Sequence, residues 1–452
     1  MPKVSVIMPS LNVAKYIVQC MDSVINQTLK DIEIICVDAG STDGTYEILC
    51  EYASKDSRIK VIHSDVKSYG YQMNIGLSNS SGEYIGIVET DDYIDCDMFE
   101  RMYMYASDSS VDFVKGRYKE FVTSHNGKRA FLKRTADAEL KKYVGKKINL
   151  RCNEPARFAD LVHIWSGLYS RNFLNRNSIM FNETPGASFQ DTSFSILVGL
   201  FADSCLYVDE AFYNYRIDNA NSSVKSDSKI MCIVDEFNYI DRVLKEKDRF
   251  LNKECVLLLN RTKIKTYIWN FMRLSEKSAN GFMEKVHGEV RQILDDQKFV
   301  DSLSSDEYQS FTMFASNQYR EIYSEIEKKN DDIVNKLISC IGNNNECVLV
   351  CSGKYASIIL FLQNFMGTDS IKAVCDNNKE IVGKDISGYT ICDIESTVLT
   401  YPNSKYILAN KYNYEVIFQQ LTRMGISENN IVVFNDLPDS SIIIDMIKHK
   451  KI

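Results

Sequence analysis

Hydrophobic positions in the first ninety residues fall into four short, nearly continuous Val/Ile runs: "VSVIMPS" (4–10), "IEIICVD" (32–38), "IKVIHSD" (59–65) and "YIGIVETDD" (84–92). Runs without polar alternation are expected of strands covered on both faces. Between them, residues 14–29 place Ile17, Met21, Val24, Ile25 and Leu29 on one helical stripe, and 44–54 and 70–80 read as two further helices. Strand–helix–strand repetition predicts a parallel α/β sheet with right-handed crossovers.

From about 100 to 225 the pattern turns mixed and aromatic-rich, notably in "HIWSGLYSRNFL" (163–174) and "AFYNYRIDNANSS" (211–223). In "FNETPGASFQDTSFSILVGLFA" (181–202) a Pro-Gly turn leads into a helix with Asp191 in its first turn. Residues 226–340 read as helical, charged and poor in glycine. A second α/β signature begins near 346, with "CVLVCSG" and "IKAVCDNN" as strands around the helix "YASIILFLQNF", and "SKYILAN" and "NIVVFND" as later strands. The expected organisation is an α/β nucleotide-binding domain over 1–225, a helical connector over 226–340 and a smaller Rossmann-like domain over 341–452.

Composition narrows this picture. The chain has 452 residues, 45% hydrophobic and 25% charged, as in soluble multidomain proteins. A net charge of −8 argues against a nucleic-acid partner. Thirteen cysteines form no CxxC and no Cys/His cluster, the usage of a reducing compartment. No stretch approaches the roughly 18 apolar residues of a membrane span, and the start lacks a signal-peptide pattern, so a cytoplasmic chain is expected. The segment "SSIIIDMIKHKKI" at the end reads as a core helix with a basic tail, the alternative being peripheral contact with the inner face of the membrane.

Ligands of parallel sheets bind beyond the carboxyl ends of the strands. Those positions here are Pro9-Ser10-Leu11-Asn12, Asp38 to Asp43, His63-Ser64-Asp65 and Glu89-Thr90-Asp91-Asp92. No G-x-G-x-x-G follows the first strand and no G-x-x-x-x-G-K-[ST] occurs. A nucleoside diphosphate would then need a divalent cation, Mn²⁺ or Mg²⁺, held by hard carboxylate oxygens. The acid run alone fits equally a solvated loop capping the next helix. Asp38, at a strand end, can accept hydrogen bonds from a base N–H or from ribose hydroxyls.

The segments "VSVIMPSLNVAKYIVQCMDSVINQT", "VDAGSTDGT" and "ETDDYI", in this order and spacing, resemble the family 2 glycosyltransferases of the GT-A fold over roughly the first 225 residues. "SIMFNETPGASFQDTSF" and "YRIDNANSS" are similar to a bacterial subgroup that builds capsular and other surface polysaccharides. The resemblance implies a nucleotide-sugar half over 1–100 and an acceptor half over 101–225. It also implies inverting, metal-assisted transfer from a UDP-sugar donor to a hydroxyl of a glycan or lipid-linked glycan. Carried over by position, Pro9, Ser10, Asn12, Asp38, Asp65, Asn74, Glu89, Thr90 and Asp91 would bind the nucleotide, Asp91 and Asp92 the metal. Asp191 would be the general base, and Lys67, Tyr69, Trp165, Gln190 and Arg216 further substrate contacts. Glu89 stands where Asp is more usual, Gln190-Asp191 replaces the common Glu-Asp pair, and "KSYGYQMN" (67–74) replaces a small-residue loop.

Two other readings compete. A nucleotidyltransferase usually carries a glycine-rich basic loop near its start, and "MPSLNVAKYI" has none. A non-catalytic sugar-nucleotide-binding or scaffold protein would have lost the metal acids or the base, and both are present. "CVLVCSGKYAS" keeps only Gly353 of a dinucleotide fingerprint, so scaffolding is the expected role of the last domain.

Overall fold

The computed structural model describes residues 1–123, 127–134, 136, 140–158, 163–219, 229–247, 251–316, 318–342, 345–438 and 440–450. The expected boundary at 225/226 and the "ANSS" of "YRIDNANSS" lie outside them. The chain forms two compact units, one of residues 1–119 and 133–320, the other of 120–132 and 321–452.

The first unit is built on strands β1 (Val4–Ser10), β2 (Ile32–Asp38), β3 (Ile59–His63), β4 (Tyr84–Ile87), β5 (Tyr93–Ile94), β6 (Phe113–Thr123), β7 (Arg129–Arg134), β8 (Lys147–Asn149), β9 (Gly167–Ser170) and β10 (Ser204–Arg216). Their order is β3-β2-β1-β4-β9-β6-β10-β5, with β7 on β6 and β8 on β10; residues 120–132 of β6 and β7 belong to the second unit. Strands β3, β2, β1 and β4 are parallel, and β9 adds antiparallel to β4. The four opening Val/Ile runs are therefore one parallel half-sheet, and every residue of β1 is buried. Each large aliphatic so covered contributes about 1.5–3 kcal/mol.

Helices α1 (Ala14–Ile25), α2 (Thr45–Lys55) and α3 (Tyr69–Ser78) are the crossovers, and α4 (Met98–Ser109), α5 (Arg171–Arg176) and α6 (Gln190–Phe201) follow. Helix α1 stops four residues short of the expected end: Asn26 closes it by donating to the carbonyls of Asp22 and Val24, and Leu29 is buried outside the helix. Strand β4 stops at Ile87, so Glu89 to Asp92 lie wholly in the loop beyond it. Helices α7 (Cys232–Glu246) and α8 (Lys253–Arg273) begin the charged helical region. Glu236 of α7 is fully buried, yet it accepts from Asn182 Nδ2 at 2.9 Å and from the Ser193 hydroxyl of α6.

Close approach at Gly70 locks α3 to the segment before α6. A Cβ there would lie 1.9 Å from the Asn182 carbonyl oxygen. Gly70→Ala must displace backbone, and overpacking of this kind costs typically 1–3 kcal/mol. Thermal unfolding should show a drop of several degrees, since about 1 kcal/mol moves the midpoint by roughly 2–4 °C in a domain of this size.

The second unit carries a sheet of order β13-β14-β12-β11-β15-β16, formed by β11 (Cys347–Val350), β12 (Ile371–Asp376), β13 (Asp385–Ile386), β14 (Tyr389–Asp393), β15 (Lys405–Leu408) and β16 (Ile431–Val433). In this sheet the β13–β14 pair is antiparallel and the β11–β12, β11–β15, β12–β14 and β15–β16 pairs are parallel. The last helix, Ser440–His449, buries Ile443, Ile444 and Ile447, so its apolar face belongs to the core, as the first reading of that segment expected. Among the described residues no helix is long and apolar enough to cross a membrane.

Candidate active site

The carboxyl ends of β1, β2 and β4 are tied together by side chains. The Thr90 hydroxyl donates to the Pro9 carbonyl at 2.8 Å, and the buried Gln72 amide of α3 donates to the carbonyls of Ser10 (2.9 Å) and Val37 (2.6 Å). Asp38 is fully buried, and its carboxylate accepts from the Gly40 and Ser41 N–H groups and from the Ser41 hydroxyl (2.5 Å). Asn12 sits at φ +54°, a left-handed conformation Asn tolerates, and its Oδ1 accepts from Thr42 N–H while its own N–H donates to Ser41 Oγ. Two loops expected to line a nucleoside are thus stitched to each other. Asp65 stands apart, its side chain 97% exposed and 3.3 Å from His63 Nε2.

The acid run divides by environment. Tyr69 donates its hydroxyl to Glu89 Oε1 at 2.6 Å, and Asn219 Nδ2 donates to Asp91 Oδ2 at 2.7 Å, leaving the other oxygen of each acid without a side-chain donor among the described residues. Asp92 is different: it is buried, and both oxygens are engaged, by the Tyr213 hydroxyl (2.9 Å) and the Arg216 N–H (2.7 Å). Asp92 therefore anchors β10 to the loop, and its expected place as a metal ligand is not what this geometry offers. Burial pushes the Glu89 carboxyl up to about 8, with the Tyr69 hydrogen bond acting in the opposite direction and the charges of Asp91 and Asp191 adding to the rise. Burial raises Asp91 as well, against the pull of Asn219, and raises Asp92 well above the carboxylate range.

Arg216 and Trp165 support the run from behind. Arg216 is buried, donates from Nε to the Asp91 carbonyl (2.8 Å) and from its terminal nitrogen to Gln19 (3.0 Å), and lies 4.5 Å over the Tyr16 ring. Trp165 is buried and stacked on Tyr213 at 4.2 Å and on Tyr215 at 5.1 Å, so it orients Tyr213 rather than presenting a ring to a sugar.

Asp191 enters from α6. Phe189, just before the helix, is held at φ +63°, and Gln190 turns inward: its Oε1 accepts from Ser188 N–H, and its Nε2 donates to Thr184 and to the Gly186 carbonyl. Gln190 is only 1% exposed, so this amide braces the 184–188 loop where a substrate contact was expected. The same loop is tied to the start of α3. Ser68 Oγ donates to the Thr184 carbonyl, Tyr69 N–H to the Gly186 carbonyl, and Gly186 N–H to the Lys67 carbonyl. Asn74 donates to the Phe181 carbonyl and to Glu183, while Lys67 is exposed. Burial pushes Asp191 up to about 6, moderated by the N–H groups of Thr192 and Asp191 and by the buried Lys115 ammonium of β6. The Asp191 charge adds to the rise of both Tyr69 and Glu89, so groups from α3, the loop after β4 and α6 act on one another electrostatically.

Sequence reading missed Asn219, Tyr213, Gln72, Lys115 and Glu236. Asn219 is the last residue of the noted "YRIDN", the one local signal available; the others sit in strands and helices whose pattern reads as core.

Among the described residues no three His, Cys, Asp or Glu side chains form a self-contained metal cage. A divalent cation that keeps water and phosphate ligands needs only one or two carboxylates, and Asp91 with Glu89 supplies open oxygens for that. Clustered, raised carboxyls are what such a cation would relieve.

Residues 5–165 match the model of glycosyl transferase family 2. Glycosyltransferase GlyG of Streptococcus pneumoniae is 30% identical over 217 residues, which are 47% of this chain and 70% of that protein. The chain belongs to this family. The uncharacterized glycosyltransferase EpsJ of Bacillus subtilis is 33% identical over 225 residues, 49% of this chain and 62% of EpsJ. Glycosyltransferase GlyA of S. pneumoniae is 31% identical over 224 residues, of which only 31% of GlyA is covered. The similarity thus spans less than two thirds of the length of both. A crystal structure of S. aureus TarS 1–349 in complex with UDP-GlcNAc is 18% identical with a TM-score of 0.48, over 72% of this chain and 92% of that one, too distant to carry residue roles.

Proposed function

We propose that the first unit is a metal-assisted, inverting glycosyltransferase that moves a sugar from a UDP-sugar to a hydroxyl of a bacterial surface glycan, free or lipid-linked. The observation that supports it most is the pair of carboxylates beyond β4, Glu89 and Asp91, each held by one side-chain donor among the described residues with its other oxygen open, together with the electrostatic coupling of Glu89 to Asp191 of α6. Family membership supports the reaction class.

In this reading the loops of Pro9–Asn12 and Asp38–Asp43 receive the nucleoside, and Asp91, aided by Glu89, holds Mn²⁺ or Mg²⁺. The cation would supply Lewis-acid stabilisation of the charge developing on the departing diphosphate. Asn219 fixes the Asp91 carboxylate; Arg216 and Asp92 fix the loop that carries it. Asp191 takes the proton from the acceptor hydroxyl as it attacks the anomeric carbon from the face opposite the diphosphate, which inverts that centre. Its raised pKa suits a base that must accept and then release a proton near neutrality. The second unit would serve as a scaffold within the polysaccharide assembly machinery.

Calorimetric titration of UDP into the protein, with and without Mn²⁺, tests the donor side. Binding that requires Mn²⁺ is expected; no binding of UDP in its presence would overturn the UDP assignment.

A further inference from the structure

The chain has two tryptophans, and they are used in opposite ways. Trp165 is buried in an aromatic stack, whereas Trp269 of α8 is 44% exposed. The buried side of α8 is Leu259, Ile264, Tyr267 and Phe271, and Trp269 lies off it.

Trp269 is nevertheless held in place. Phe189 meets its ring edge-on, with centroids 5.6 Å apart and planes at 87°. The Arg273 guanidinium, one turn further along α8, lies 4.6 Å over Phe189 and 5.7 Å from the Trp269 centroid. Arg273 is fixed in turn by Asn270 Oδ1 (2.9 Å) and the Lys229 carbonyl (3.0 Å). Phe189 is the left-handed residue immediately before Gln190-Asp191, so α8 packs on the turn that leads into the candidate base while part of the Trp269 indole stays exposed.

We infer that the exposed part of the Trp269 indole is an acceptor-side platform against which a sugar ring of the glycan packs. A pyranose turns C–H bonds outward from one face and hydroxyls around its rim. Laid on an indole it removes apolar surface from both partners while its hydroxyls stay in water. A side chain braced in advance loses little freedom on binding, so the contact favours affinity. The position fits an acceptor ring rather than the donor, because Trp269 adjoins the Asp191 loop through Phe189, not the β1/β2 loops assigned to the nucleoside. This inference rests on the proposed transferase reading.

The test uses the full chain with UDP and Mn²⁺ on a printed array of bacterial surface glycans, comparing wild type, Trp269→Ala and Trp269→Phe. UDP calorimetry and thermal unfolding are run on the same samples. Wild type should retain a set of glycans, Trp269→Ala should lose at least about tenfold of that binding, as expected when an aromatic stacking face is removed, and Trp269→Phe should keep most of it. UDP affinity and melting temperature should not change. Equal glycan retention by Trp269→Ala overturns the platform, as does a UDP-bound wild type that retains no glycan. Failure to bind UDP is a separate result and counts against the transferase reading instead. A parallel arm uses phosphatidylglycerol vesicles: Trp269-dependent vesicle binding without glycan binding would mark a membrane contact and also overturn the platform.

Discussion

Asp191→Asn should lower kcat by about 10²–10⁴-fold, the usual contribution of a positioned general base, with UDP affinity preserved. Stopped assays at saturating donor and acceptor would measure it. The wild-type kcat should fall as pH drops through about 6, where Asp191 takes up a proton, and the variant should lack that limb. Stability moves the other way. Burial raises this carboxyl in the folded chain, so the folded state holds the proton more tightly than the unfolded one. The resulting stabilisation is complete below the ordinary carboxylate range and is lost as pH rises through about 6. At pH 8 the neutral variant should therefore melt no lower than wild type, which separates lost catalysis from lost folding.

Asp91→Ala should remove the Mn²⁺ dependence of UDP binding and reduce activity by at least about 10³-fold, because several kcal/mol of charge stabilisation depend on the cation and each ~1.36 kcal/mol is tenfold in rate. The calorimetric comparison with wild type reads the first effect and a coupled UDP-release assay the second. A variant that kept Mn²⁺-dependent UDP binding would move the metal to Glu89. Asn219→Ala is the milder companion: it frees the Asp91 carboxylate to turn, and loss of such a supporting hydrogen bond typically weakens metal affinity by about 10–100-fold.

Both expectations show what the sequence could and could not convey. Three strands of the half-sheet were legible because β1, β2 and β4 are covered on both faces, which writes nearly continuous apolar residues into them. Strand β3, expected to be covered likewise, is an edge strand with only Ile59 buried. The extent of α1 was not legible, because Leu29 continues the apolar stripe from a loop that only tertiary packing buries. In the site, Asp91 and Asp191 stood out through motif and helix position. The different condition of Asp92 did not, since it depends on Tyr213 and Arg216 more than a hundred residues away. Gln190 misled for a similar reason. Its neighbour is the candidate base, but its amide is saturated by the loop it closes, and hydrogen-bond saturation leaves no periodic trace.

The pairing of Ser68 with Gly186 carries a consequence for how such proteins diversify. Residues 67–74 and 182–190 share backbone hydrogen bonds, the Asn74–Glu183 bond and the Gly70 contact, so the start of α3 and the loop before α6 hold each other in place. A graft of the first from a relative with a different loop would arrive without its template. The two stretches, distant in the gene, form one heritable cassette, and recombination that separates them should leave few functional offspring.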